Sequence, residues 1–155
     1  MRIVIDLQGA QTESRLQTSG EVFVTLTQEL ARHQNSHEIW IVLNELFPDT
    51  LSKIRKAFEG LIPRSRIAVF SVPGATREQD SDNLQRTRAA ELIREYFIEN
   101  FHPDILLVSS LFEGWRNDVV TSVHALRTNP PTAVLVSESL QSIDEKNGNP
   151  SDKRY

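Results

Sequence analysis

Five short apolar runs, separated by segments with helical spacing, constrain the fold of this chain more than any other feature. Such runs, bounded by polar residues, are typical of strands buried on both faces of a parallel sheet. They occupy residues 2–7, 39–43, 67–72, 105–108 and 132–136. Alternating strands and helices require right-handed crossovers, which place helices on both faces of the sheet. We therefore predict a Rossmann-like, three-layer α/β domain with an open, mostly parallel five-stranded sheet.

The four segments between these runs are predicted to be helices. The first is expected to end near Arg32, the second to be stopped by Gly60 and Pro63, and the third by Pro103. Helical spacing predicts that the third helix buries Leu84, Ala89, Leu92, Ile93, Tyr96, Phe97 and Phe101 on one face. A shorter fourth helix is expected to carry Val119, Val120, Val123 and Leu126.

The length and the distribution of apolar residues predict one domain and a tail. A chain of 155 residues is long enough to bury a sizeable core but leaves no room for a second domain. We place the folded domain at residues 1–136. In residues 137–155 the large apolar side chains are Leu140, Ile143 and Tyr155 alone. So little apolar surface cannot offset the entropy of ordering, and we expect a polar, flexible tail.

Composition excludes several classes of partner. The net charge is −4 and the arginines are scattered, which argues against nucleic acid because no basic stripe exists to neutralise phosphates. No run approaches the roughly 20 apolar residues of a membrane span, so we predict no transmembrane segment. The absence of cysteine fits a cytoplasmic protein and excludes disulfides. The four histidines show no metal-ligand spacing, and we assign none of them a catalytic role.

Small and polar residues follow the first and fourth strands, where ligands of open parallel sheets bind. The candidate substrate-binding residues in these two loops are Gly9, Arg15, Ser109, Ser110, Glu113, Gly114 and Trp115. Glu113 is interpreted either as a substrate-binding carboxylate or as a surface acid in a turn. Trp115 is either an aromatic platform for a ligand or, as we favour, a cap over the helix that it begins. The serines can bind a ligand or satisfy loop backbone groups.

Residues 1–15 and 108–115, followed by 118–123, resemble the N-terminal domain of group 1 (family 4) glycosyltransferases. Residues 43–48 and 88–95 extend the likeness, which covers most of residues 1–135. The resemblance implies sugar transfer from a nucleotide-activated donor to a glycan or lipid-linked acceptor, with no metal cofactor. A lipid-linked acceptor would imply peripheral association with a membrane. In such two-domain GT-B enzymes the donor is held mainly by a C-terminal domain, whose paired-glutamate motif these residues lack, so we expect no activity without that domain.

The chain departs from the family at two positions. The family's Gly-x-Gly-Arg-Tyr segment is replaced by residues 18–22, in which Gly20 alone is retained as a candidate for substrate binding. Thr18 and Glu21 fit a capping box that would occupy the donors of the first helix. Glu138 is the candidate to replace an acid expected after the fifth strand. A non-catalytic interaction module derived from this domain is therefore the alternative hypothesis. A nucleotide-binding protein is a weaker one, because Gly-x-Gly-x-x-Gly is missing.

Overall fold

The computed structural model describes residues 1–12, 19–109, 113–122 and 130–134. Strands and helices alternate as predicted from residue 2 to residue 108. The strands are β1 (Arg2–Asp6), β2 (Glu38–Asn44), β3 (Ile67–Phe70), β4 (Ile105–Val108) and β5 (Thr132–Val134). The helices are α1 (Ser19–Arg32), α2 (Pro48–Ala57) and α3 (Leu84–Glu99). Short 3₁₀ turns occupy Gln8–Gln11, Arg64–Arg66, Ser81–Asn83 and Glu113–Trp115.

The five strands form one parallel sheet in the order β3-β2-β1-β4-β5. At its centre Ile3 of β1 pairs with Ile39 of β2 on one side and with Ile105 of β4 on the other. The predicted α/β fold with an open parallel sheet is confirmed. The first three strands proceed outward from β1 in one direction, and β4 returns to the opposite side of β1. Such a reversal opens a crevice at the carboxyl ends of the two strands, where ligands bind in folds of this kind.

Two apolar cores cover the two faces of the sheet. Adjacent residues of β1 point to opposite faces, so that Ile5 joins one core and Val4 the other. The first core contains α1 through Phe23 and α2 through Ile54, together with Phe58 directly after α2. The second contains α3 through Ala90 and Ile98. The predicted three layers are thus built from α1 and α2 on one side and α3 on the other.

The predicted buried face of α3 is wrong for most of its members. Leu84, Leu92, Ile93 and Tyr96 are between 41% and 63% exposed, and Phe97 and Phe101 are only partly buried. The buried residues are Thr87, Ala90, Arg94, Glu95 and Ile98. Hydrophobic spacing alone missed this face because its central member is an arginine. Arg94 pairs with Asp6 of β1 in the interior, and this pairing requires the side of α3 that carries Arg94 to face the sheet.

The predicted fourth helix is also corrected at its start. Residues 119–122 have no helical conformation, while residues 123–129 lie outside the described part of the chain. Val119 and Val120 are nevertheless buried, because they cross the carboxyl end of the sheet as a loop beside Gln8. The predicted tail, residues 137–155, is likewise outside the described ranges. Within those ranges no helix combines the length and hydropathy needed to cross a bilayer.

Candidate functional site

Gly9, Ser109 and Glu113 meet at the crevice between β1 and β4. Gly9 lies in the turn after β1, and the other two residues follow β4. A Cβ atom built on Gly9 would overlap the Ser109 hydroxyl and the Glu113 carboxylate, and would lie 2.9 Å from Glu113 Cδ. The two loops therefore approach each other this closely because position 9 has no side chain.

The chemistry of this cluster suits a hydroxyl-rich ligand. Glu113 is only 5% exposed, and Ser109 is partly buried beside it. An ionised carboxylate accepts hydrogen bonds through two oxygens, and a serine hydroxyl both donates and accepts. A site with these groups can orient the hydroxyls of a sugar without a metal ion. The described residues contain no group of three or more histidines and acids arranged to hold one.

Gly114 is held between two neighbouring segments. A Cβ atom on Gly114 would lie 2.7 Å from the Val119 carbonyl oxygen and 2.8 Å from Glu78 Oε1. The Glu78 N–H donates to the Gly114 carbonyl at 2.9 Å, and the Gln79 N–H donates to the Trp115 carbonyl at 3.2 Å. These contacts fix the turn that carries Glu113.

Trp115 is 57% exposed at the end of that turn. Residues 116–122 form no helix, so the favoured interpretation of Trp115 as a helix cap is wrong. The indole instead presents apolar surface to solvent one residue beyond Gly114. Exposed aromatic rings with a polar edge are enriched at binding surfaces.

The remaining candidate residues are not joined to this cluster by any described contact. Gly20 is buried in the first turn of α1, and α1 packs against the turn of residues 8–11. Arg15, Ser110 and Glu138 lie outside the described residues, as does Thr18 of the predicted capping box. Glu21, its other member, is exposed in the first turn of α1.

A buried polar network that sequence reasoning missed supports the loop of Gly9. Gln8 Nε2 donates to Asp6 Oδ2 at 2.8 Å and to the Val120 carbonyl at 2.5 Å. Gln8 Oε1 accepts from the Val120 N–H at 2.9 Å. The Gln8 side chain therefore pairs with the backbone N–H and carbonyl of Val120 almost as another backbone amide would, and it joins the loop after β1 to the segment after Glu113.

Arg94 of α3 completes this network through three hydrogen bonds. Its Nε donates to Asp6 Oδ2 at 2.7 Å, its Nη2 donates to the same oxygen, and its Nη1 donates to the Ser122 carbonyl at 2.7 Å. Asp6 Oδ1 accepts from the Gln8 N–H at 3.0 Å. Asp6 thus accepts a hydrogen bond from the backbone at the end of its strand and also forms a buried ion pair with Arg94.

Gln11 joins the same loop to β2. The Asn44 N–H donates to Gln11 Oε1 at 2.6 Å, while Gln11 Nε2 donates to the Asn44 carbonyl at 3.0 Å and to Thr50 Oγ1 at 3.1 Å. Two glutamines within five residues of the end of a buried strand are a signal that could have found this network. A second signal is the spacing of Thr87, Ala90, Arg94 and Ile98, which places the arginine within a helical stripe of small and apolar residues.

Three acids, Glu78, Glu91 and Glu95, form a second group near the turn that contains Gly114. Burial raises the pKa of Glu91 above its ordinary value, and the nearby Glu78 and Glu95 raise it further, against the lowering effect of Arg88. Arg88 Nη1 is 3.9 Å from Glu91 Oε2. Glu78 Oε1 also lies beside Gly114, so this group of acids extends from α3 to the turn of residues 113–115.

Comparison with known proteins finds relatives among glycosyltransferases. The chain is 29% identical to the serotype-specific mannosyltransferase WbdA of Escherichia coli over 126 residues, which cover 81% of this chain and 15% of that protein. Two further Escherichia coli proteins of the same name are 27% and 26% identical over 101 residues, covering 64% of this chain and 12% of each relative. The chain is therefore homologous to a segment of a glycosyltransferase. It spans less than a sixth of the length of these relatives.

No family model matches the chain. No solved structure matches it either.

Proposed function

We propose that this chain is the N-terminal, acceptor-side domain of a group 1 (family 4) GT-B glycosyltransferase. The convergence of Gly9, Ser109 and Glu113 at the reversal of strand order carries the proposal. The similarity to a mannosyltransferase supports it and makes mannose the first sugar to test. The function is the transfer of a sugar from a nucleotide-activated donor to a glycan or lipid-linked acceptor.

In this proposal the crevice binds the acceptor. Glu113 accepts hydrogen bonds from acceptor hydroxyls, Ser109 donates or accepts beside it, and Trp115 packs against a sugar ring. Gly9 and Gly114 allow close approach of the two loops. The buried side chains of Gln8 and Arg94 act as positioning residues, because they hold the loops and need not touch the ligand.

The donor requires a second domain in this proposal. A GT-B crevice is complete only between two domains. The cluster of Gly9, Ser109 and Glu113 contains no positively charged side chain that could bind a diphosphate. We therefore expect these 155 residues alone to bind acceptor without transferring sugar. The expected location is the cytoplasm, where nucleotide-activated sugars are made.

Binding and turnover measured on the same preparation test the proposal. A mannose oligosaccharide is titrated into the isotope-labelled chain, and amide shifts are followed by NMR. Glu113→Gln should weaken binding about tenfold or more, since one hydrogen bond to a charged group is worth that factor. Glu29→Gln, at an exposed position on α1, is the matched control and should leave binding unchanged.

Two results would overturn the proposal. Absence of binding by any mannose oligosaccharide would favour the interaction module instead. Sugar turnover from nucleotide-activated mannose by the isolated chain, above that of Glu113→Ala, would show that no donor domain is needed.

A further inference from the structure

A groove of about 920 Å³ lies on the face of the sheet covered by α1 and α2, away from the candidate site. It is lined by residues of α2 and of the segment from Glu59 to Ile67, the first residue of β3. The candidate site lies at the carboxyl ends of β1 and β4. The groove is therefore a separate feature, and an inference about it does not depend on the proposed function.

The lining of the groove combines positive charge with apolar surface. Its cations are Arg55 and Lys56 of α2 and Arg64 and Arg66 of the following segment. Glu59 is the acidic residue of the lining. Arg66 has an acidic partner that is not part of the lining, since its Nη2 is 3.5 Å from Glu38 Oε1. The apolar wall includes Leu51, Leu61 and Ile62. A positively charged groove stands out on a chain whose net charge is −4.

Most of these cations have no acidic partner among the described residues. Among the described residues Arg55, Lys56 and Arg64 form no ion pair, and Arg55 Nε is buried without an acceptor. Buried donors in native proteins are nearly always paired, so an unpaired one requires an explanation. The dipole of α2 accounts for cations in its last turn. It does not account for Arg64, which belongs to another segment, or for the unpaired Nε.

We propose that this groove binds a ligand that carries a phosphate group on an apolar chain. Arginine donors match the oxygens of a phosphate, and the bond is strengthened by charge. Arg55 Nε supplies a donor already removed from water, Arg64 and Lys56 complete the positive rim, and the leucines contact the apolar chain. A volume of this size lies within the usual range for small-molecule sites.

The experiment uses the 155-residue chain and two ligands that carry a phosphate on an apolar chain, one soluble and one a membrane lipid. Hexyl phosphate and inorganic phosphate are titrated separately by calorimetry, and binding to vesicles of phosphatidylcholine is measured with and without phosphatidylglycerol. The test variant is Arg55→Gln with Arg64→Gln. The control is Lys53→Gln with Arg88→Gln, which removes the same charge from exposed positions outside the groove.

Loss of about tenfold or more in affinity for hexyl phosphate in the test variant, with no loss in the control, would support a soluble ligand. The same contrast seen only on vesicles containing phosphatidylglycerol would support a lipid headgroup. Arg64→Glu, at an exposed position, should reproduce the loss if the double variant unfolds. No binding to either probe, equal losses in test and control, or equal affinity for inorganic phosphate and hexyl phosphate would overturn the proposal.

Discussion

Arg94 and Asp6 form a buried ion pair that fastens α3 to the carboxyl end of β1, with Arg94 Nε 2.7 Å from Asp6 Oδ2. Neither side chain is more than 1% exposed. The remaining oxygen of Asp6 accepts from the Gln8 N–H, and Arg94 Nη1 donates to the Ser122 carbonyl. The pair therefore does more than hold two layers together. It sets the positions of both loops that enclose Gly9 and Glu113.

Removal of Arg94 should be strongly destabilising. Arg94→Met keeps the length of the side chain but leaves the Asp6 carboxylate buried without its cation, a change that costs about 3–5 kcal/mol. The free energy of unfolding, measured by urea denaturation, checks this. Arg88→Met on the same helix is the control. Arg88 is 74% exposed, and the change should stay within about 0.5 kcal/mol. Equal losses in the two variants would contradict the assigned role of the buried pair.

Gly9→Ala should push the two loops of the candidate site apart. The added methyl group would overlap the Ser109 hydroxyl and the Glu113 carboxylate, and overpacking of this kind costs about 1–3 kcal/mol. Ser109→Gly removes one of the two obstacles, so the double variant should be less destabilised than the sum of the single changes. Strict additivity in the denaturation data would show that position 9 and position 109 do not touch.

Ionisation of Glu91 should make the native protein less stable as the pH rises. Because burial raises the pKa of Glu91 in the folded state, its favourable contribution is complete below the ordinary value of 4.5 and is lost as the pH rises through the folded value. Glu91→Gln stays neutral and should therefore gain stability over the native protein between about pH 4 and pH 7. Thermal melts across this range, with Glu45→Gln as an exposed control, measure the gain. A gain at neutral pH that is also present at acid pH, or is shared by the control, would argue against burial as its cause.

Glu38 should show the opposite pH dependence. The hydrogen bond from Arg2 Nε, at 2.8 Å, lowers the pKa of Glu38, so its stabilising contribution is present above 4.5 and is lost as the pH falls through the folded value. Glu38→Gln should be less stable than the native protein near about pH 7 and equal to it in acid. Both partners are about one third exposed, so about 1 M salt should shrink the difference. A deficit that is constant with pH would point to lost packing instead.

Much of the fold and part of the candidate site follow from local sequence. The apolar runs that became β1 to β5 are short, continuous and bounded by polar residues, and such runs are typical of parallel strands in a sheet that helices cover on both faces. Parallel pairing then follows from the helical segments between the runs. The same argument placed Gly9, Ser109 and Glu113 at the ends of β1 and β4, because strand ends are defined by where the apolar run stops.

The rotation of α3 and the support beneath the site were decided by tertiary structure. Hydrophobic spacing alone predicts that α3 faces the sheet with Leu92, Ile93 and Tyr96. In the structure these side chains are exposed, and Arg94 is buried in the interior instead. A charge becomes a core residue only when a partner such as Asp6 meets it there, and that partner is 88 residues away along the chain. The pairing of Gln8 with Val120, at a separation of 112 residues, depends in the same way on strand order. Local sequence determines which segments form strands and helices, whereas the pairing of distant polar groups is fixed only when the sheet brings them together.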